Sequence, residues 1–106
     1  MEETSYYDHI EQARNAALRL MEEHGGGPLG AYRDITVGRL GVGLGHEVGV
    51  QSTTGPFRRI RLDYDPVKGC HYNVEVGKGA GRVKHAFCFP GTEAWLQRIM
   101  NTRSPR

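Results

Sequence analysis

The stretch from Arg58 to Phe89 constrains the fold of this chain more than any other. It alternates apolar and polar residues in three successive runs. Ile60, Leu62 and Tyr64 alternate with Arg59, Arg61 and Asp63. Tyr72, Val74 and Val76 alternate with His71, Asn73 and Glu75. Val83, Phe87 and Phe89 alternate with Lys84, Ala86 and Cys88. A period of two is that of a half-buried strand, with successive side chains on opposite faces. The segments between the runs, Asp65-Pro66-Val67-Lys68-Gly69 and Gly77-Lys78-Gly79-Ala80-Gly81, carry turn chemistry. Strands joined by such short turns predict an antiparallel meander.

The flanks read differently. Tyr6, Ile10, Ala13, Ala17 and Leu20 recur at helical spacing and predict an amphipathic helix over about 5–24. Ser5 with Asp8 resembles its capping signal, and Gly25-Gly26-Gly27-Pro28 ends it. Glycine-rich residues 33–52 predict two weak strands, 34–40 around Ile35 and Val37 and 46–52 around Val48 and Val50. Glycines 41, 43 and 45 read as a bend between them. No strong strand precedes these glycines and no helix follows, so they are not a phosphate-binding loop. Thr92 caps a final helix over about 92–101, with Trp95, Leu96, Ile99 and Met100 as its apolar stripe. A chain of 106 residues suits a single domain, 1–106, with its sheet core at 58–89. Fifteen glycines, about twice the usual share, favour short strands and tight turns over a bundle. The expected fold is α+β. An N-terminal helix, a four- to five-stranded antiparallel meander sheet and a C-terminal helix follow in order. Both helices lie on one face and leave the other as an open polar face.

Several function classes drop out. The sequence has no long apolar run, so no transmembrane segment is expected, and its acidic, polar start is not a signal peptide. Cys70 and Cys88 form no CxxC or Cys/His cluster of zinc spacing, so no metal and no cofactor is expected. Cys88 sits in an apolar run; the spacing of the two does not decide whether they pair. Net charge is only +2, but acidic residues concentrate near the N-terminus and basic ones prevail after Arg58.

Folding the two hairpins about their turns sets side chains opposite one another on the polar face. Asp63 meets His71, Arg61 meets Asn73, and Arg59 meets Glu75, which also meets Lys84. Opposed Cβ atoms stand about 5 Å apart. An imidazole and a carboxylate are thus ringed by cations, the parts needed for metal-independent RNA cleavage. One of His71 and Glu75 takes the proton of a ribose 2′-hydroxyl, and the other protonates the leaving oxygen. The pattern does not say which does which. Arg59, Arg61 and Lys84 hold the phosphate charge. Asn73, Asp63 and His85 are candidate substrate contacts, and Lys68 and Lys78 on the flanking turns steer the backbone. The competing reading is a solvated face whose cross-strand ion pairs stabilise the sheet modestly.

The run RIRLDYDPVKGCHYNVEVGKG, followed by VKHAFCFPGTE and a short helix, resembles the C-terminal toxin domains of bacterial polymorphic toxins of the Rhs and contact-dependent type. It covers roughly residues 58–100, with Cys70 where proline is expected. The resemblance implies a ribonuclease of the barnase, colicin and RelE-like kind, with His71 and Glu75 as catalytic positions. It implies an RNA substrate, a monomer, a cognate immunity protein and action in the target-cell cytoplasm after delivery, or in the cytoplasm if the protein stands alone. The alternative is a non-enzymatic binding module, an immunity or antitoxin-type protein or a small nucleic-acid binder. Deamination lacks its zinc-ligand set.

Overall fold

The computed structural model describes residues 2–27, 30–35 and 48–103. In chain order the elements are β1 (Glu2–Tyr6), α1 (Ile10–Gly25), β2 (Tyr32–Ile35), β3 (Gly49–Ser52), β4 (Arg58–Asp65), β5 (Gly69–Val76), β6 (Val83–Phe89) and α2 (Glu93–Arg103). One short 3-10 turn, Gly79–Gly81, precedes β6. The fold is α+β, and the six strands among the described residues form one sheet in the order β1-β6-β5-β4-β3-β2. Strands β2 to β6 are the expected antiparallel meander, while β1 adds to the free edge of β6 in parallel, making the sheet mixed.

The N-terminus differs from the sequence expectation. Residues 2–6 are a strand, Tyr6 is 75% exposed, and the helix begins only at Ile10. Its cap is not the Ser5–Asp8 pair. Gln12 Oε1 instead accepts the backbone N–H groups of Asp8 (3.1 Å) and His9 (3.2 Å), which otherwise lack partners at a helix start. The strand pairs with a segment some eighty residues away, so nothing local announces it. Pairing there satisfies backbone groups that β6 would otherwise leave bare at a sheet edge. Of the strand expected at 34–40, residues 34–35 are described, and they belong to β2; residues 36–47, with His46 and the three bend glycines, lie outside the described residues.

Both helices pack on one face. Ala13, Ala17 and Met21 of α1 are buried against Ile60, Leu62, Tyr72 and Val74, and Leu96 and Met100 of α2 join the same core. The two alanines let the helix approach closely. Each large apolar side chain buried there contributes roughly 1.5–3 kcal/mol. Past its end, Gly26 takes a left-handed φ of 86°, which glycine adopts without strain. Arg58, buried at the start of β4, donates from Nη1 to the carbonyls of Met21 and Gly27, the negative end of the helix. Its side chain lies where a Cβ on Gly25 would be. At Gly49, an added Cβ would fall 2.0 Å from the Ile60 carbonyl oxygen, so β3 approaches β4 too closely for any other residue. Thr92 caps α2 as expected, its Oγ1 accepting the Trp95 N–H at 3.1 Å. Among the described residues no helix is long and apolar enough to cross a membrane.

Candidate functional site

The register of the polar face is the one the alternation implies: Asp63 opposite His71, Arg61 opposite Asn73, Arg59 opposite Glu75, and Glu75 opposite Lys84. The face is not simply open. Asp63 is fully buried and His71 is 2% exposed. Buried polar groups must be hydrogen-bonded, and these are. Asp63 Oδ2 accepts from Arg61 Nη1 at 2.9 Å, and its Oδ1 accepts the Tyr64 N–H at 2.8 Å.

His71 is held from both sides. Its Nδ1 lies 2.8 Å from the Gly69 carbonyl oxygen. A carbonyl only accepts, so Nδ1 carries the proton of that bond. The other nitrogen, Nε2, lies 3.9 Å from Asp65 Oδ2. The β4–β5 turn sets this geometry. Asp65 Oδ1 accepts the N–H groups of Val67 (2.9 Å) and Lys68 (2.7 Å), bending the chain as Asx turns do. Gly69, at φ 76°, closes the turn and presents its carbonyl to the ring. Burial opposes the charge of Asp65, but the two backbone N–H groups, with His71 and Lys68 nearby, outweigh it and hold the carboxyl below its ordinary range.

From this corner a recess of about 200 Å³ opens across the face. His71, Asn73, Glu75, Arg61, Lys68 and Lys84 all line it, so the structure brings these sequence-nominated residues together. Glu75 stands between two cations, 3.8 Å from Arg59 and 4.0 Å from Lys84. Lys68 crosses from its turn to donate to Glu2 Oε1 on β1 at 3.0 Å, a bond that, despite some burial, raises the lysine's affinity for its proton. Arg61 Nε is buried with no hydrogen-bond partner among the described residues.

Four nominated residues lie elsewhere. Asp63 sits beneath the face as the partner of Arg61. Arg59 and Lys78 flank the recess on the Phe57 ring, at 5.4 and 4.9 Å from its centroid. His85 occupies the opposite, helix-covered face: it is in register with Val74, stacks on Phe87 at 4.1 Å, and shares a 2.8 Å hydrogen bond with Ser5. Burial pushes its pKa down, against the pull of Glu3 and Glu2. Cys70 faces the core and Cys88 the polar side, so the two free thiols cannot pair. Burial raises both, Cys70 to about 11.

Two recess residues escape a reading of the sequence. Asp65 looks like turn chemistry alone, although its spacing of two from Asp63 puts it on the His71 face. Glu2 arrives through the parallel β1 pairing and has no local signal. Among the described residues no group of three or more His, Cys, Asp or Glu side chains is placed to hold a metal ion. No family model matches the chain, and no curated protein matches it in sequence.

Proposed function

We propose that the recess is the active site of a metal-independent endoribonuclease, and that the chain is a toxin domain of the polymorphic type its 58–100 segment resembles. The observation that carries the reading is that His71, Glu75, Asn73 and three cations line one recess. In a strand, residues four apart have Cα atoms roughly 13 Å apart, so His71 and Glu75 line the recess on either side of Asn73. That suits an in-line displacement, in which attacking and leaving oxygens lie on opposite sides of phosphorus. Glu75, an acceptor when ionised, takes the proton of the ribose 2′-hydroxyl as its oxygen bonds to phosphorus. His71, anchored through Nδ1, delivers a proton from Nε2 to the 5′-oxygen as the phosphorus–oxygen bond breaks. The products are a 2′,3′-cyclic phosphate and a free 5′-hydroxyl. The Asp65 carboxylate lies 3.9 Å from Nε2, beside the nitrogen that carries the proton in transit. Lys84 and Lys68 exchange their carboxylate partners for the phosphate, and Arg61 adds fixed positive charge.

A second reading has one observation in its favour. Lys68, Lys84 and Arg61 each have a carboxylate partner already, as a stable docking face of a non-enzymatic binding module would. The test separates the two. Purified protein is incubated with total RNA and with a ribodinucleotide in EDTA. The expected result is cleavage to a 2′,3′-cyclic product, lowered at least about 100-fold by His71→Gln and by Glu75→Gln, the low end for general acid–base groups. Both variants are checked for folding by circular dichroism. Intact RNA with folded wild-type protein overturns the nuclease reading. In the toxin reading, expression arrests bacterial growth and a cognate immunity protein covers this face with acidic side chains.

A further inference from the structure

The Phe57 end of the face has a composition that general acid–base chemistry does not require. Phe57 immediately precedes β4, on the side of Arg59 and Glu75. Its carbonyl accepts the N–H of Gly77 at 2.8 Å, which ties the β5–β6 turn to it. Gly77 has φ 79°, and the residue it turns inward, Lys78, sets its ammonium 4.9 Å from the Phe57 ring centroid. The Arg59 guanidinium lies 5.4 Å from the same centroid. Arg59 is held in place by Gln51, to which its Nε donates at 3.0 Å, and it reaches within 3.8 Å of Glu75 at the wall of the recess. An aromatic ring and two cations therefore adjoin the recess through one side chain. The carboxylate of Glu75 is shared with Lys84 as well, so cations outnumber it there.

We infer that Phe57, Arg59 and Lys78 form a subsite for the nucleotide next to the scissile phosphate of a single-stranded RNA. The inference rests on the nuclease reading for the word scissile, but not for binding. Single-stranded nucleic acid is held by aromatic or guanidinium planes that stack on bases and by cations that follow the phosphates. The Phe57 cluster supplies both at one point, and the direction from Phe57 through Arg59 to Glu75 leads into the recess. An acidic peptide would use the two cations but gain nothing specific from the ring.

The test uses oligomers blocked at the 2′-position with O-methyl groups, which bind without being cut. Fluorescence anisotropy compares a dimer with a pentamer. Stacking one more base is worth about 1–3 kcal/mol, so wild-type protein should bind the pentamer at least about fivefold more tightly than the dimer. Phe57→Leu keeps much of the apolar bulk but removes the ring, and should lower that ratio severalfold; Phe57→Trp should preserve it. Lys78→Ala should lower the salt slope of pentamer binding by about one phosphate contact. A length ratio that survives Phe57→Leu overturns the subsite, as does equal binding of dimer and pentamer by the wild type. Polyglutamate competing as well as RNA also overturns it, in favour of a protein-docking patch. Length-dependent, Phe57-dependent binding by a protein that cuts no RNA sustains the subsite and removes the nuclease reading instead.

Discussion

The two ends of the polar face are built from the same alternation and differ in everything else. At the His71 end Asp63 and His71 are buried, and the hydrogen bonds that hold them are short and directional. Arg61 holds Asp63 at 2.9 Å, the Gly69 carbonyl holds the imidazole at 2.8 Å, and backbone N–H groups fix Asp65. At the Glu75 end the side chains are more exposed, the ion pairs are 3.8 and 4.0 Å long, and the cations lean on an aromatic ring. Burial explains the contrast. A polar group out of water must be satisfied by fixed partners, because an unmade bond costs its full desolvation. A group in water can exchange partners at little cost. The buried end can hold one ring in one orientation; the open end can trade its carboxylate for a phosphate. Positioning a proton and binding an anion need these two properties respectively.

The largest test of the contrast is Asp63→Ala. It strands the Arg61 charge in a site where the arginine side chain is 11% exposed. Removing one partner of a buried pair costs about 3–5 kcal/mol, a large part of the 5–15 kcal/mol typical of a domain. Removing both charges, as Asp63→Leu with Arg61→Met, should cost much less, since no lone charge remains. Urea melts of the three proteins check this. A loss under 1 kcal/mol for Asp63→Ala would mean that the buried end is not rigid, and would dissolve the distinction drawn here.

How far this contrast could be read from the sequence depends on the range of the interactions. Alternation and two short turns determine which residues face each other in β4, β5 and β6, so the cross-strand set from Asp63 to Lys84 is legible. Its depth is not. Asp63 and Asn73 look like solvent-facing residues in any pattern, yet both are buried. The β1 strand was illegible for a similar reason: Tyr6 falls on the helical period of Ile10 and Ala13, while its true neighbour, Cys88, is remote in the chain. Asp65 was hidden by having two roles at once, with one oxygen shaping the turn and the other facing His71.

A smaller effect separates the ends by pH. The Asp65 carboxyl is held below its ordinary pKa of 3.8 when folded. The unfolded chain therefore binds this proton first as pH falls, and the charged carboxylate contributes stability that is full above 3.8 and lost as pH drops through the folded value. Asp65→Asn keeps an oxygen for the turn N–H groups but cannot titrate. The stability difference between wild type and Asp65→Asn should favour the wild type at pH 6 and shrink below 3.8. A constant difference would mean that the charge of Asp65 does not matter to the fold, and its role beside His71 would have to rest on shape alone.

The smallest expected effect on stability is at the other end, and it is the most discriminating. Glu75→Gln removes the carboxylate between Arg59 and Lys84, two cations that keep access to water. Pairs of that kind are worth about 0–1 kcal/mol and fade as salt rises. The melt should thus move by no more than about 1 kcal/mol at low salt, and by less at about 0.5 M, where the Debye length has fallen well below 10 Å. In the proposed chemistry the same substitution removes the base that takes the 2′-hydroxyl proton, and cleavage falls about 100-fold or more. A residue whose loss is nearly silent in the fold and large in the reaction is held there for the reaction. If Glu75→Gln instead destabilises the protein as much as Asp63→Ala, the open end is as structural as the buried one, and the whole face reads as a docking surface rather than a catalytic one.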